Sequence, residues 1–572
     1  MLSTFIAVTT LTTTTIIPTI KSLNMSSLQA RSEMTSLIQQ FQADSGSLDR
    51  FYTVDFSADR ISRFKKFYQD NLAKLKASAF DSMPQGDKVD YILFKNLLNR
   101  SLAKLEALEK QIAQSEVFMP FAKELVQLTQ DQRRTQNVDA PKVAALLARI
   151  NSEIPELKKR LESRKDNDKF SAYRAARFND QLIRFLADWN RFYNQYDPQF
   201  GWWVNEPYNR LSRSLTELSG FLREKICGIK PGESNAIVGD PIGREALLNE
   251  LKYEMIPYTP EELVEIANKE FAWCEVEMKK ASSEMGFGSD WKKALEEVKN
   301  DYAKPGDQPK VIRELAEEAI KYVEDNNLVT VPALAKESWR MNMMSREQQK
   351  VSPFFLGGES ILVSFPTTEM EHQEKLMSLR ANNIHFARAT VHHELIPGHH
   401  LQQFYESRFQ LQREPFGTPF WSEGMALYFE LLFWDMGFPK TPQNKIGMLF
   451  WRMHRCARII FSLSFHLKKM SSDECINLLV DKVGHERSSA EGEVRRSLSG
   501  AYSPLYQISY MMGAFQFWEL RQELVTSGKM TNREFHDRIF KENSIPVEMV
   551  RALLTNQKLT SDFQSSWKFY RR

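Results

Sequence analysis

The sequence has too few cysteines for a disulfide scaffold or a thiolate metal site. Its 572 residues contain 4 cysteines, widely spaced and with no C-x-x-C pair, which excludes both frameworks and leaves the redox compartment open. An excess of charge of one sign is also missing, because 76 lysines and arginines oppose 73 acidic residues for a net charge of +3. This balance predicts no nucleic-acid partner and no electrostatic attraction to a membrane surface.

Two further absences narrow the class of protein. There is no Gly-rich phosphate loop, and there is no apolar run long enough to span a membrane. The mildly apolar run from Phe5 to Ile20 contains Pro18 and many threonines, so no stable membrane insertion is predicted. Residues 1–26 are predicted to be a leader, either disordered or a signal peptide. They lack a basic start and a clear cleavage site, so secretion and a cytoplasmic location are equally compatible with them.

The rest of the chain is predicted to be mainly α-helical, in two domains. Residues 27–330 carry successive amphipathic patterns typical of helices. Among them, a helix that begins at Pro260 has Thr259 as its cap, and the pair Trp202-Trp203 suggests core packing. Residues 331–572 are richer in β-formers at first, and Ile361 to Phe365 suits a short strand. Peptide backbone can add to the edge of such a strand, so Gly358 to Ser364 is predicted to line a substrate cleft; an ordinary buried strand is the alternative.

One stretch concentrates the chemistry of the chain. Residues 391–402 read V-H-H-E-L-I-P-G-H-H-L-Q and hold four of the 10 histidines. Histidine is the commonest metal ligand, and a glutamate within such a cluster can accept a proton. The spacing is not that of H-E-x-x-H, because the histidine after His393 and Glu394 is His399.

Pro397 and Gly398 explain the unusual spacing. Six residues of unbroken helix would turn His399 by about 600°, nearly opposite to His393, but Pro397 cannot continue the helix and Gly398 tolerates the angles of recovery. We interpret the two residues as an insertion that returns His399 to the face of His393. The alternative pairs, seven residues apart, are separated by about 10.5 Å, too far for one ion. His392 and His400 are therefore predicted to orient ligands or lie at the surface.

A carboxylate follows on the next predicted helix. Residues 421–430 read W-S-E-G-M-A-L-Y-F-E, which places Glu423 after a possible cap, Ser422. Two histidines and one carboxylate leave a fourth zinc position open for water, as a hydrolytic site requires. The helix that carries His393 and Glu394 is predicted to run from Met377 to Ile396.

These residues resemble a known family. H-E-x-x-P-G-H-H-x-Q followed by E-G-x-A-L-Y is similar to a family catalogued as a domain of unknown function, which itself resembles the gluzincin peptidases. The resemblance implies a zinc peptidase with long helices around a cleft and a small sheet beside the metal. It implies His393, His399 and Glu423 as ligands of Zn²⁺, and Glu394 as the general base.

A second motif suggests the donor that such chemistry needs. Attack on an amide builds a negative oxygen, which a phenol or guanidinium stabilises. Residues 502–513 match the family's P-x-x-x-x-x-Y-x-x-G element, so similarity to gluzincins indicates Tyr510 first, then Arg496 and His485. Core packing is the alternative for Tyr510.

The sequence thus predicts a zinc-dependent peptidase that hydrolyses the peptide bonds of short peptides. A metal-dependent hydrolase of non-peptide amides or esters would use the same residues. A non-catalytic helical scaffold or peptidase-like binder is the alternative from another class. The sequence makes no prediction of oligomeric state.

Overall fold

Helices dominate the protein. The computed structural model describes residues 32–231, 233, 236–500 and 502–571, so the predicted leader lies outside the described residues. Within them the protein is mainly α-helical, with one small sheet of two parallel strands. This confirms the predicted class. None of the helices in the described part is both long and apolar enough to cross a bilayer.

The N-terminal part is built of long helices joined by short connections. In chain order they are α1 (Glu33–Phe51), α2 (Ala58–Lys76), α3 (Gln85–Ser115), α4 (Ala122–Arg133), α5 (Ala140–Ser163), α6 (Lys169–Asn194), α7 (Pro198–Phe221), α8 (Gly243–Tyr253), α9 (Pro260–Glu284), α10 (Trp291–Asn300) and α11 (Gln308–Asp325).

Local capping explains where α9 begins. The Thr259 side chain accepts from the Glu262 backbone N–H, and the Glu262 side chain accepts from the Thr259 N–H. This reciprocal arrangement is the capping box, and it confirms the predicted start of the helix.

The prediction that Trp202 and Trp203 pack in the core is wrong. Their exposed fractions are 84% and 48%. Phe200 and Val204 mark the buried stripe of α7, and Trp202 is turned about 200° away from Phe200 around the helix axis.

The second part contains the sheet and shorter helices around α18. Its elements are α12 (Ala333–Ser338), β1 (Arg340–Met343), α13 (Arg346–Gln349), β2 (Ser360–Val363), α14 (His372–Ala381), α15 (Ile384–Glu394), α16 (His399–Glu406), α17 (Pro419–Asp435), α18 (Pro442–His466), α19 (Ser472–Leu478), α20 (Arg487–Leu498), α21 (Tyr506–Arg521), α22 (Asn532–Phe540) and α23 (Val547–Thr555).

The small sheet packs against α15. Strands β1 and β2 pair in parallel, with Arg340 opposite Ser360. Ile361 and Val363 point from β2 into an apolar cluster that includes Val391 and Leu395. The predicted strand therefore exists, and it lies beside the helix that carries the histidines. Leu356 bridges Leu362 on the other edge of β2, so that edge is partly occupied; the predicted role of Gly358 to Ser364 in a substrate cleft stays a prediction.

The largest apolar core crosses the predicted domain boundary. It combines buried residues of α1–α3 and α8–α11 with those of α15–α23, whereas a second core joins α4–α7. Phe94 and Phe416, for example, lie with ring centroids 6.5 Å apart. The boundary at residue 330 stays a prediction.

Candidate functional site

The helix that carries His393 begins later than predicted. The stretch from Met377 to Ile396 is two helices, α14 and α15, and the prediction of one helix is wrong. Asn383 causes the break, because its side-chain oxygen accepts from the backbone N–H groups of His385 and Phe386, each at 3.0 Å. An N-cap asparagine starts a new helix in this way.

A tight connection separates the two halves of the histidine cluster. Helix α15 ends at Glu394 and α16 begins at His399, and the Gly398 N–H donates to the carbonyl of His392 at 3.0 Å. A Cβ on Gly398 would lie 1.7 Å from the carbonyl oxygen of His393, so only glycine permits this close approach. The result is that the rings of His393 and His399 lie with centroids 5.0 Å apart and planes at 88°.

Glu423 completes a group of three donors. It comes from α17, whose cap is Thr418 rather than the predicted Ser422, with Pro419 in the first turn. Its Oε2 lies 3.3 Å from Nε2 of His393 and 3.2 Å from Nε2 of His399. One ligand atom from each of the three residues lies within 4.8 Å of the others. The structure therefore brings together all three residues expected to bind a metal.

In both histidines, the ring nitrogen Nδ1 contacts a side-chain oxygen that orients the ring. Nδ1 of His393 lies 2.6 Å from Glu430 Oε1, and Nδ1 of His399 lies 3.0 Å from Gln402 Oε1. Because these oxygens can only accept, each Nδ1 carries the proton and each Nε2 is directed toward Glu423. Metal-binding histidines are oriented by such partners.

The electrostatics of the group suit a cation. Burial opposes a charged ring, yet Glu423 raises the pKa of His399 to about 10, and Glu423 and Glu430 raise the pKa of His393. Burial likewise opposes a charged carboxylate, but the two histidines hold the pKa of Glu423 well below its ordinary value. Protons on the rings supply the positive charge that a divalent ion would supply at the same atoms.

Glu394 lies next to the three donors. Its Oε2 is 4.0 Å from His399 Nε2, and burial raises its pKa. Within the described residues, no hydrogen-bond donor holds its carboxylate. A Cβ on Gly357 would lie 2.6 Å from Glu394 Oε2 and 2.4 Å from its carbonyl oxygen, so the backbone before β2 covers this side chain closely.

Two tyrosines of α21 face the same group. Tyr510 stacks on His393 with centroids 6.1 Å apart and planes at 16°. Among the residues described, none forms a hydrogen bond with its hydroxyl, and burial raises its pKa above the ordinary value. Tyr506 donates a hydrogen bond to Glu423 Oε1. The sequence analysis missed Tyr506, although it lies four residues before Tyr510 and therefore on the same helix face.

The chain matches the model of a known protein family. The family model described as "Bacterial protein of unknown function (DUF885)" matches residues 44–554. The chain belongs to the DUF885 family. Among curated proteins none matches it.

Solved structures share the fold of this DUF885 member. One, described as "a putative lipoprotein of unknown function from Shewanella oneidensis", is 18% identical, with a TM-score of 0.68 over 92% of this chain and 100% of that chain. Another, described as "the putative lipoprotein from Colwellia psychrerythraea", is 13% identical, with a TM-score of 0.57 over 91% of this chain and 98% of that chain. At these identities the likeness concerns the fold.

The remaining predicted residues of this DUF885 protein have different surroundings. Arg496 is buried, and its guanidinium lies 4.8 Å from the ring centroid of Tyr502. His485 contacts His454, with Nε2 at 2.8 Å from Nδ1, and it packs against Phe450 with ring centroids 4.7 Å apart. Tyr510 therefore stacks on one of the three donors, His393, whereas His485 contacts a different histidine, His454.

The two flanking histidines have backbone partners. Nδ1 of His392 lies 2.9 Å from the carbonyl of Arg388, and burial lowers its pKa to about 4. The ring nitrogens of His400 lie 3.1 Å from the carbonyl of Gly358 and 2.9 Å from that of Ala335. His400 therefore ties α16 to the segment before β2, next to the residue that covers Glu394.

Proposed function

We propose that this protein is a zinc-dependent peptidase that hydrolyses peptide bonds, acting on short peptides. The observation that carries the proposal is the convergence of His393, His399 and Glu423, with a ligand atom from each within 4.8 Å of the others. The carboxylate of Glu394 lies beside them, 4.0 Å from His399 Nε2. The motifs that hold these residues also underlie the proposed relation to the gluzincin peptidases.

The donor set fits zinc. Two imidazole nitrogens and one carboxylate oxygen are a common protein ligand set for catalytic zinc, and they leave one position open. Zn²⁺ held by these residues would polarise the scissile carbonyl and lower the pKa of a water. Glu430 and Gln402 fix the two rings in the orientation that this binding needs.

Glu394 is proposed as the general base. Its carboxylate lies beside the donors, lacks a hydrogen-bond donor among the described residues, and has a pKa raised by burial. A raised pKa makes a carboxylate a better proton acceptor near neutral pH. Glu394 would take a proton from the attacking water and pass it to the leaving amine.

Tyr510 is the favoured donor to the developing negative oxygen. Its ring lies on His393, and its hydroxyl is free of partners in the described part of the chain. Arg455 and Arg458 lie over its ring at 4.8 and 4.5 Å from the centroid. A donor fixed by such packing stabilises an oxyanion without reorganising. Arg496 is the second candidate. His485 is the third, and its ring contacts His454 rather than the three donors.

A cleft between the helices and β2 completes the proposal. In a gluzincin-like arrangement, a peptide would lie along the segment from Gly358 to Ser364 and reach the donors past Gly357. The backbone at Gly357 lies close over Glu394 and leaves room only for a narrow, extended substrate. Short peptides are therefore proposed as substrates rather than folded proteins.

The test combines metal content with turnover. Wild-type protein supplied with zinc is expected to hold about one ion per chain and to cleave members of a short-peptide library. Glu394→Gln should keep the metal and lose turnover, and His399→Ala should lose both. Glu548→Gln is the matched control, because Glu548 is a buried carboxyl in α23 whose pKa burial raises to about 6.

The outcomes separate the alternatives. Full activity in Glu394→Gln would refute the role of the base. Hydrolysis of esters or non-peptide amides with no cleavage of peptides would favour the other hydrolase class. Absence of metal from both wild type and His399→Ala, after purification without chelators, would leave the helical scaffold or binder.

A further inference from the structure

Three buried arginines surround the tyrosines on the far side of the donor group. Arg455 and Arg458 come from α18 and Arg496 from α20. Arg455 and Arg458 lie 4.8 and 4.5 Å from the centroid of the Tyr510 ring, and Arg496 lies 4.8 Å from the centroid of Tyr502. This cluster is therefore a region of concentrated positive charge.

The carboxylates of the protein satisfy only part of that charge. Arg458 uses both oxygens of Glu493, at 2.7 and 2.9 Å, and Arg455 reaches Glu430 at 3.5 Å. The closest approach of Arg496 to Glu493 is 4.0 Å. At that distance Arg496 and Glu493 form an ion pair but no hydrogen bond.

Arg496 is consequently a buried cation without a hydrogen-bond acceptor. Its exposed fraction is 5%, its Nε is buried with no partner, and across the described residues nothing accepts a hydrogen bond from its guanidinium. Glu493, 4.0 Å away, offsets part of the cost of burying this charge, but the N–H groups of the guanidinium lack an acceptor, and a buried donor without an acceptor costs free energy. A ligand anion would remove this cost.

Arg496 is also near the proposed reaction centre. Its guanidinium lies 4.8 Å from the Tyr502 centroid, Tyr502 lies 4.3 Å from Tyr506, and Tyr506 donates to Glu423. Two ring contacts and one hydrogen bond thus connect Arg496 to a proposed ligand. A substrate residue or two would cover this path, at about 3.5 Å per residue.

We infer that Arg496 binds a carboxylate of the substrate, carried one or two residues from the scissile bond. The inference rests on the proposed peptidase function and specifies its substrate class. A planar guanidinium pairs with a carboxylate through two parallel hydrogen bonds. The carboxylate is either the C-terminus of the peptide or an aspartate side chain, and the experiment distinguishes the two.

Binding is measured first, without turnover. Zinc-loaded Glu394→Gln protein is titrated calorimetrically with Ala-Ala-Phe as the free acid, with its C-terminal amide, and with Ala-Ala-Asp amide. The free acid is expected to bind about 10- to 100-fold more tightly than the amide, the range for a hydrogen bond to a charged group. Equal affinities for all three peptides would overturn the inference. Tight binding of the aspartyl amide, with no gain from the C-terminal acid, would assign the side chain as the source.

Variants assign the preference to one residue. In the same Glu394→Gln background, Arg496→Gln should abolish the preference for the acid, and Arg496→Lys should reduce it to a few-fold, because a lysine keeps the charge but not the paired donors. Arg495→Gln is the matched control, since the neighbouring Arg495 donates to the carbonyl of Lys350, and it should retain the full preference. Zinc content and melting temperature are measured for each.

The assignment of the carboxylate preference to Arg496 can be refuted in two ways. An undiminished preference in both Arg496 variants overturns it, and if Arg496→Gln does not fold, the Arg496→Lys result decides. Failure of the proposed function looks different: wild-type zinc protein would cleave no peptide, whereas the acid preference in binding would persist. Cleavage of acid and amide at equal kcat/KM would refute the inference and leave the peptidase in place.

Discussion

The hydrogen bond from His393 to Glu430 offers a direct test of how the candidate metal site is held. Glu430 Oε1 lies 2.6 Å from Nδ1 of His393 and 3.5 Å from a terminal nitrogen of Arg455. Glu430→Gln removes the charge but leaves an amide oxygen able to accept, whereas Glu430→Ala removes both.

The two variants should weaken zinc binding to different degrees. A charge-assisted bond is about twice as strong as a neutral one, and loss of such an outer partner typically weakens metal binding by about 10- to 100-fold. We therefore expect Glu430→Gln to raise the zinc Kd by about 10-fold, and Glu430→Ala by about 100-fold. At about 1.4 kcal/mol per factor of ten, these correspond to about 1.4 and 2.8 kcal/mol.

The assay is competition for zinc against a chromophoric chelator. Glu270→Gln is the matched control, because Glu270 is also buried and bonds an arginine of α18, Arg452, at 2.7 Å. It should lower the melting temperature while leaving the zinc Kd unchanged. If Glu430→Ala bound zinc as tightly as wild type, Glu430 would not orient His393, and the argument from ring orientation would fail.

Two further variants probe the neighbours of the site. Gly357→Ala places a Cβ 2.6 Å from Glu394 Oε2, so kcat should fall about 100-fold, as expected for a catalytic group displaced by about 1 Å, with zinc retained. Gly220→Ala is the control, because a Cβ at that position meets nothing within 4 Å. If Gly357→Ala kept the wild-type kcat, the backbone at Gly357 would not constrain Glu394. Tyr506→Phe removes the bond to Glu423, so the chelator assay should show a zinc Kd about 10-fold higher. An unchanged Kd would make that contact incidental.

The sequence could place the donors because their constraints are local. Pro397 and Gly398 lie between the two histidines. The proline cannot continue a helix and the glycine permits a close backbone approach, so few conformations of this segment are possible. The start of α15 escaped the sequence analysis for the opposite reason. Asparagine is common in many contexts, and whether Asn383 caps a helix depends on a backbone geometry that the pattern does not fix.

Contacts between distant segments could not be predicted from one sequence. The pair Gly357-Gly358 indicates a bend or a close backbone approach, but the sequence does not show that the approaching segment is the one at Glu394. Arg496 lies in a polar helix whose pattern suggests solvent, yet it is buried. The structure is needed to see that Glu493 bonds Arg458 closely and stays 4.0 Å from Arg496.

The pairing of α17 with α21 shows why the donor group and the tyrosines belong to one arrangement. A Cβ on Gly424 would lie 2.6 Å from the Cα of Gly513, and a Cβ on Gly513 would lie 1.9 Å from a carbonyl oxygen of α17. The helices therefore touch through bare backbone at the turn that follows Glu423. Any larger residue would push α21 outward, and Tyr506 would lose its bond to the second oxygen of that carboxylate. The two glycines of this helix contact thus also set the position of the proposed ligand.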